Sequence, residues 1–300
     1  MPDVRTAMAD RPLVLDGGLG TMLEARGHDL AGALWSAGVL LEAPGDVRGV
    51  HAEFVAAGAE VLTTASYQLG YDNLAAAGYD EAAVDRLLAA SVRLAREAAD
   101  GQAWVAASVG PFGAVRADGS EYSGAYGMSV ADLARWHRRR IQVLADAGPD
   151  LLAIETIASP AEVEAIALAL DGVGVPGWIS LSAASAAFDD AGYASALAVA
   201  ASAPGVVAVG ANCCPPALIA TVLAQLPAGV AGVVYPNSGE TWDAASRTWR
   251  GEAGATFAEA EAWVDAGARL VGGCCRTTPA DIAPLAARLQ VARHPSSPPR

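Results

Sequence analysis

The sequence predicts a single (β/α)8 barrel. Short apolar runs alternate with longer segments of helical periodicity along a chain of 300 residues, a length that one barrel domain commonly reaches. These runs are candidate buried strands. They occupy residues 13–16, 60–64, 104–109, 150–155, 177–181, 206–212, 232–235 and 269–273. A set of strands each followed by a helix describes a closed barrel better than an open sheet.

The segments between the runs carry helix signals. Val84 and Leu88 belong to an apolar series at helical spacing. Pro160 and Pro279 stand where the first turn of a helix tolerates proline, and the Asp-Gly pair at 171–172 is a plausible helix end. We therefore expect a helix after each strand.

The predicted barrel occupies residues 13–290. A polar tail at 1–12 precedes it, and a disordered, low-complexity tail at 291–300 follows it. Two strand-to-helix connections are long, at 17–44 and 110–128. In a barrel such connections lie over the carboxyl ends of the strands, where active sites form, so both are candidate lids.

Composition and charge exclude several classes of function. The formal net charge of −14 argues against nucleic acid or an anionic membrane surface as a partner, because both select a cationic face. No lysine occurs, which excludes Schiff-base catalysis and attachment of pyridoxal phosphate. No membrane-spanning run or signal peptide is visible, so we expect a cytoplasmic protein that acts on small molecules. The 4 histidines lack metal-site spacing, so a metal would rely on sulfur.

The 4 cysteines form two adjacent pairs, and each pair lies where a predicted strand ends. In a reducing compartment such pairs are more often metal ligands or catalytic thiols than disulfides. We predict that three of these four sulfurs hold one zinc ion. Strand alternation lets only one of Cys213 and Cys214 face inward, without deciding which. Cys274 and Cys275 can share a metal only if the chain leaves strand conformation, a departure that the glycines at 272–273 would absorb.

Three protein thiolates leave one tetrahedral position of zinc open. Such an electron-rich ion activates water weakly and suits a substrate thiolate, which it keeps deprotonated. A free thiol with a pKa of about 8.5 is only slightly ionised near neutrality, so full ionisation is worth roughly 2 kcal/mol. Alignment of the thiolate with an electrophile must supply most of the remaining rate enhancement.

Other polar residues also end predicted strands and should meet at the same end of the barrel. Asp16 ends the first run, Glu155 the fourth and Asn212 the sixth. Asp16 and Glu155 would face the sulfurs across the barrel mouth. We expect no special role for His137, and we interpret the arginines at 138–140 as a solvated helix face.

Motifs along nearly the whole chain carry a family resemblance. They are Leu15-Asp16-Gly17-Gly18, Leu34-Trp35-Ser36-Ala37, Thr64-Ala65-Ser66-Tyr67-Gln68, Ser108-Val109-Gly110-Pro111-Phe112-Gly113, Asp118-Gly119-Ser120-Glu121-Tyr122, Val234-Tyr235-Pro236-Asn237-Ser238-Gly239-Glu240 and Gly272-Gly273-Cys274-Cys275-Arg276-Thr277. With these motifs the chain resembles the zinc-dependent homocysteine S-methyltransferases, especially the short type that uses S-methylmethionine or S-adenosylmethionine.

The resemblance implies a role for the residues at the strand ends. Zn2+ would be held by Cys213, Cys274 and Cys275, with the sulfur of homocysteine as the fourth ligand. Asp16 and Glu155 match acidic residues that hold the ammonium of homocysteine, a group that needs charge-assisted acceptors.

We expect further contacts with the substrates. Backbone amides around Gly17 and Gly18 would receive the substrate carboxylate. Asn212 is expected among the substrate-binding residues, whereas Cys214 has no ligand role. A sulfonium cation without N–H groups favours aromatic faces as neighbours. The candidate aromatic residues are Trp35, Tyr67, Phe112 and Tyr235.

The implied reaction is an in-line displacement that moves the methyl group of the sulfonium donor to homocysteine and gives methionine. The leaving thioether is neutral and needs no general acid. We expect S-methylmethionine to be preferred over S-adenosylmethionine as the donor. We expect no further domain for cobalamin or folate and therefore no complete methionine synthase. A betaine-using relative would usually carry a longer C-terminal extension.

Two functions from other classes remain open from the cysteines alone. One is a non-catalytic, thiol-rich zinc site for metal storage or thiol sensing. The other is a dithiol oxidoreductase with a reducible bond between Cys274 and Cys275.

Overall fold

Every apolar run predicted as a strand forms one in the structure, a computed structural model that describes residues 1–30, 35–116, 119–183, 185, 187–243, 248–250 and 256–291. The strands are β1 Leu13–Val14, β2 Val61–Thr63, β3 Trp104–Val109, β4 Leu151–Ile157, β5 Gly177–Ser182, β6 Val206–Asn212, β7 Ala231–Tyr235, β8 Thr241–Asp243, β9 Thr248–Arg250 and β10 Ala268–Val271. The antiparallel hairpin β8–β9 was not predicted.

The parallel strands close into a barrel. Eight of them form one sheet in the order β1-β10-β7-β6-β5-β4-β3-β2. The two outermost strands of this order meet through a parallel bridge between Leu15 and Val61. On the same seam the amide of Asp16 donates to the carbonyl of Val61 at 3.0 Å. The predicted (β/α)8 barrel is confirmed.

Helices separate the strands. They are α1 Val4–Asp10, α2 Leu19–Ala25, α3 Trp35–Glu42, α4 Pro44–Ala56, α5 Tyr71–Ala76, α6 Glu81–Ala99, α7 Phe112–Arg116, α8 Ser120–Ser123, α9 Val130–Asp146, α10 Pro160–Ala169, α11 Asp190–Ser202, α12 Ile219–Leu223, α13 Ala260–Asp265 and α14 Pro279–Val291. Pro160 and Pro279 begin their helices, as predicted, and the Ser159 hydroxyl caps α10. Of the helices described, none is both long and apolar enough to cross a membrane.

Two apolar layers hold the barrel together. The inner layer fills the barrel with strand residues such as Leu13, Trp104 and Trp178, while a larger layer lies between the sheet and the helices. Residues 1–12, predicted as a polar tail, contain α1, whose buried face joins the inner layer through Met8 and its neighbours. Helix α1 within this segment therefore closes one end of the barrel.

The two long connections are more regular than the lids that were predicted. The connection at 17–44 holds α2 and α3, and the connection at 110–128 holds α7 and α8. Residues 31–34 and 117–118 lie outside the described residues, as do residues 292–300 of the predicted C-terminal tail.

The arginines at 138–140 do not form a uniformly solvated helix face. Arg138 and Arg139 are exposed, but Arg140 is only 1% exposed, and His137 is fully buried beside it. The reason is helical phase: His137, Arg140, Ile141 and Leu144 share the buried side of α9.

Candidate active site

The carboxyl ends of the barrel strands surround a cavity of about 180 Å3. Asp16 follows β1, Glu155 lies near the end of β4, and Cys213 directly follows β6. Cys274 and Cys275 follow β10 on the wall of the same cavity. The polar strand ends predicted to meet at one end of the barrel therefore do so.

Three thiols form a compact cluster in this wall. The Sγ atoms of Cys213 and Cys275 are 3.8 Å apart, and those of Cys274 and Cys275 are 3.9 Å apart. All three sulfurs of Cys213, Cys274 and Cys275 lie within 4.8 Å of one another. Two thiolates bound to one tetrahedral zinc ion, each at about 2.3 Å, would be roughly 3.8 Å apart. The sulfur spacing therefore fits a single ion of this kind.

The ionisation of these thiols supports the same fit. The pKa of Cys274 and that of Cys275 lie well above the usual thiol range, first because each thiol hydrogen-bonds with Cys213, with burial adding to the effect. Several thiolates in close contact repel one another, and a bound cation relieves that repulsion.

Cys274 and Cys275 aim into one site because the chain leaves the strand immediately before them. The Gly272 amide still pairs with the carbonyl of Val234, but the Cys274 amide donates to the carbonyl of Pro236 at 2.8 Å. The backbone then turns, and Arg276 has a φ of 64°. The predicted departure from strand conformation is present.

The two preceding glycines permit this turn because they carry no side chain, and not because they adopt unusual dihedral angles. Neither is among the residues with positive φ. A Cβ at Gly272 would lie 2.5 Å from the Cβ of Leu15, and one at Gly273 would lie 2.2 Å from the Oγ1 of Thr277. The turn is therefore pressed against the end of β1 and against Thr277, which leaves no room for a side chain.

The other cysteine pair is divided between the cavity and the core. Cys213 has a φ of 49° and places its sulfur in the cluster. Cys214 is fully buried in the layer between sheet and helices, and its pKa is raised by that burial. One sulfur of this pair therefore reaches the cavity, and it is that of Cys213.

Asn237 connects the two cysteine pairs. Its side-chain Oδ1 accepts the amide of Cys275 at 3.1 Å, and its own amide donates to the carbonyl of Cys214 at 2.9 Å. The residue is 8% exposed. The sequence placed it in a motif after β7 without indicating this role, because a contact between two separate loops leaves no local pattern.

Asp16 is a buried carboxyl with well-defined partners. Its Oδ2 accepts the Thr63 amide at 2.8 Å, and its Oδ1 accepts the Thr63 hydroxyl at 3.0 Å. Burial raises the pKa of Asp16 to about 8, the hydrogen bonds with Thr63 oppose that rise, and repulsion from Glu155 adds to it. Thr63 was not among the predicted site residues.

Glu155 lies in a similar environment. Its Oε1 accepts a hydrogen bond from the Ser108 hydroxyl. Burial raises its pKa to about 7, hydrogen bonds with Ser108 and Tyr235 lower it, and the charge of Cys213 raises it. Asp16 and Glu155 thus form a buried acidic pair whose ionisation a bound cation would favour.

Asn212 lines the cavity, but most of its amide is engaged within the protein. Its Oδ1 accepts the Thr156 amide and the Ser180 hydroxyl, each at 2.8 Å, and its Nδ2 donates to the Thr156 hydroxyl at 2.8 Å. Thr156 has a φ of 62°, a conformation rare for a residue with a branched side chain. Asn212 therefore holds the strained residue that follows Glu155.

Of the predicted aromatic residues, Tyr67 and Tyr235 line the cavity. The hydroxyl of Tyr235 accepts the Nε1–H of Trp178 at 2.9 Å. Phe112 is not part of the cavity wall and packs instead edge-on against Trp136, with ring centroids 5.1 Å apart. Trp35 begins α3, and its side chain lies outside the described residues.

Gly17 and Gly18 also line the cavity, but the amide of Gly18 has a protein partner. It donates to the carbonyl of Thr277 at 2.9 Å. A Cβ at Gly18 would lie 2.8 Å from the carbonyl oxygen of Cys274. These glycines therefore bring the end of β1 against the cysteine turn.

Comparisons with known proteins agree with this site. A family model described as homocysteine S-methyltransferase matches residues 13–289. Homocysteine S-methyltransferase of Escherichia coli (strain K12) is 45% identical over 293 residues, which cover 92% of this chain and 94% of that protein. Homocysteine S-methyltransferase 4 of Zea mays is 43% identical over 313 residues, which cover 95% of this chain and 91% of that protein.

A solved structure gives the same result in three dimensions. The metallated form of the homocysteine methyltransferase MmuM from Escherichia coli matches with a TM-score of 0.82 at 40% identity, covering 95% of this chain and 99% of that chain. Sequence, fold and cavity thus agree, and the chain belongs to the homocysteine S-methyltransferase family.

Proposed function

We propose that this enzyme transfers the methyl group of a sulfonium donor, S-methylmethionine in preference to S-adenosylmethionine, to homocysteine, with Zn2+ held by Cys213, Cys274 and Cys275. The observation that carries the proposal is the thiol cluster, whose sulfurs lie within 4.8 Å of one another in a cavity that Asp16 and Glu155 also line. The thiol cluster suits the sulfur end of homocysteine, and the acidic pair suits its ammonium group.

The thiol cluster accounts for activation of the nucleophile. The chemistry that zinc supplies when bound is to keep the substrate sulfur deprotonated at neutral pH. Cys213, Cys274 and Cys275 contribute the charge and the geometry, since three protein sulfurs leave one tetrahedral position for a substrate atom. Asn237 holds the Cys275 amide and so fixes the orientation of that turn.

The acidic pair accounts for orientation of the amino acid. Asp16 and Glu155 would accept hydrogen bonds from the ammonium of homocysteine, and that cation would return both carboxyls to their charged forms. Thr63 and Ser108 hold the two carboxyls in place. Because the same cavity contains the thiols, the substrate sulfur would lie toward the cysteine turn.

The donor would approach along the aromatic part of the cavity wall. Tyr67 and Tyr235 offer ring faces that suit a sulfonium cation. In-line displacement releases a neutral thioether, so the step needs no proton donor. No histidine is among the residues described as lining the cavity, which agrees with such a reaction. The proposed metal site needs reduced thiols, and a cytoplasmic location would keep them reduced.

The deciding experiment measures methionine formation by the purified enzyme from homocysteine with S-methylmethionine, S-adenosylmethionine or betaine. Bound metal is quantified in the same preparations. We expect about one zinc per chain, the highest kcat/KM with S-methylmethionine, and loss of activity on chelation that added zinc restores. Full activity after thorough metal removal would sink the proposal, as would a preference for betaine.

The non-catalytic zinc site and the dithiol oxidoreductase make different predictions. A storage site needs only the cysteines, so Asp16→Ala should leave its behaviour intact. The enzyme should instead lose homocysteine binding in that variant while keeping its metal. A dithiol oxidoreductase would show a reductant-dependent mass change without bound metal.

A further inference from the structure

A buried cluster of polar residues lies behind the cavity wall, outside the residues assigned to metal or homocysteine. It consists of Arg140 and His137 on α9 and Glu162 on α10, which are 1%, 0% and 0% exposed. Burial of such groups is costly unless their charges are compensated and their hydrogen bonds are made. The partners of the cluster therefore indicate what it holds.

Arg140 binds the backbone of two loops that follow neighbouring strands. Its guanidinium donates to the carbonyl of Leu69, in the loop after β2, at 3.3 Å. It also donates to the carbonyl of Gly110, directly after β3. Its Cζ lies 4.7 Å from the ring centroid of Trp136, one turn earlier on α9. Two different nitrogens of the guanidinium, Nη1 and Nη2, donate to the two carbonyls, a geometry that the single terminal nitrogen of lysine does not reproduce.

Glu162 binds the connection at 110–128 near both of its ends. Its Oε1 accepts the Phe112 amide at 2.6 Å and lies 2.9 Å from the Nε2 of His137. Its Oε2 accepts the hydroxyl of Tyr126 at 2.9 Å. The negative charge of Glu162 also compensates the charge of Arg140. Together these residues fix where the connection leaves β3 and where it returns to α9.

The connection is in turn pressed against Tyr67 in the cavity wall. A Cβ at Gly110 would lie 2.5 Å from the carbonyl oxygen of Tyr67 and 2.7 Å from the Cδ2 of its ring. The backbone of Gly110 therefore packs directly on Tyr67. Arg140 holds the carbonyl of Gly110. If that carbonyl shifted, the backbone that packs against the Tyr67 ring would shift with it.

We propose that Arg140 and Glu162 are positioning residues that hold Gly110 against Tyr67 and thereby set the part of the cavity wall that receives the methyl donor. This inference rests on the proposed function, because it assigns the Tyr67 side of the cavity to the donor and the thiol side to homocysteine. Neither residue is among those that line the cavity. Their effect on the reaction passes through Tyr67.

The test is a double-mutant cycle with Arg140→Lys and Tyr67→Ala, read as KM for the donor and KM for homocysteine. Arg140→Lys keeps the charge but loses the double contact with Leu69 and Gly110. We expect its KM for the donor to rise about tenfold, since small misplacements of a binding group are costly, while KM for homocysteine and bound metal stay within about twofold. In the Tyr67→Ala background the same change should add less than about twofold.

Arg135→Lys is the matched control, since Arg135 is exposed on the same helix and pairs with Asp132. It should leave both KM values unchanged. Should Arg140→Lys not fold, Glu162→Gln enters the same cycle, because it keeps the shape of the side chain while removing the compensating charge.

Equal effects of Arg140→Lys in both Tyr67 backgrounds would overturn the inference, as would equal rises of both KM values. Either result would mean that the cluster only stabilises the fold and does not position Tyr67. Failure of the proposed function is distinguishable, because it would appear as absent methyl transfer in the unmodified enzyme.

Discussion

The sulfur atoms of Cys213 and Cys275 lie 3.8 Å apart, although 62 residues separate these cysteines in the chain. The barrel brings them together by ending β6 and β10 at the same edge. The two cysteine pairs contribute unequally, because Cys213 faces the cavity while Cys214 faces the core. Cys274 and Cys275 both reach the cavity, since the chain turns just before them.

The first prediction compares Cys213 with Cys214, which serves as the control. Cys213→Ser removes one of three sulfur ligands. It should lower both the affinity for zinc and the rate of methyl transfer by at least about 100-fold. Cys214→Ser should keep both, although a hydroxyl in its apolar surroundings should cost about 1–3 kcal/mol of unfolding free energy. Metal analysis, steady-state kinetics and denaturant titration measure these effects. Zinc loss in Cys214→Ser but not in Cys213→Ser would contradict the ligand assignment.

The second prediction concerns Asn237. Its Oδ1 is the acceptor for the Cys275 amide, so Asn237→Ala should weaken zinc binding by about 10–100-fold through misorientation of the turn. Asn237→Asp keeps an acceptor oxygen and should recover most of that affinity. Competition with a zinc chelator measures both variants. Equal losses in the two would show that the acceptor is not what holds the turn.

The sequence was sufficient for those parts of the fold and site that depend on local patterns. Continuous apolar runs predict buried parallel strands, and each run became a strand. Strand alternation predicts that only one of Cys213 and Cys214 faces inward. The polar ends Asp16 and Glu155 met because all barrel strands end at one edge.

Features that depend on tertiary contacts were missed or misassigned. Arg138, Arg139 and Arg140 look alike in sequence, and only the phase of α9 against the sheet buries the last of them. The glycine at 273 was expected to relieve strand geometry, whereas the structure requires it because Thr277 occupies the space of a side chain. The bond from Asn237 to Cys275 joins loops 38 residues apart and has no local signature.

The third prediction concerns homocysteine binding and pH. Burial first of all raises the pKa of Asp16 to about 8 and that of Glu155 to about 7, and both must be charged to hold an ammonium. KM for homocysteine should therefore fall steeply as pH rises through these values. Ionisation of the substrate thiol also contributes, so the comparison is with Asp16→Asn. That variant should bind more weakly and show a shallower pH dependence. Identical slopes would rule Asp16 out as the titrating partner.

The fourth prediction is that Asp16 makes the ligand-free enzyme less stable as pH rises. Burial raises its pKa from 3.8 to about 8, so between these values the folded protein retains a proton that the unfolded chain has released. The stabilisation is complete below the lower value and is lost as pH approaches the upper one. Asp16→Asn removes the ionisable carboxyl, so this pH dependence is absent in the variant. The unfolding free energy of the variant minus that of the unmodified enzyme should increase by about 4 kcal/mol from about pH 5 to about pH 8. Urea titrations at several pH values measure the difference, and a difference independent of pH would mean that the carboxyl ionises normally in the folded state.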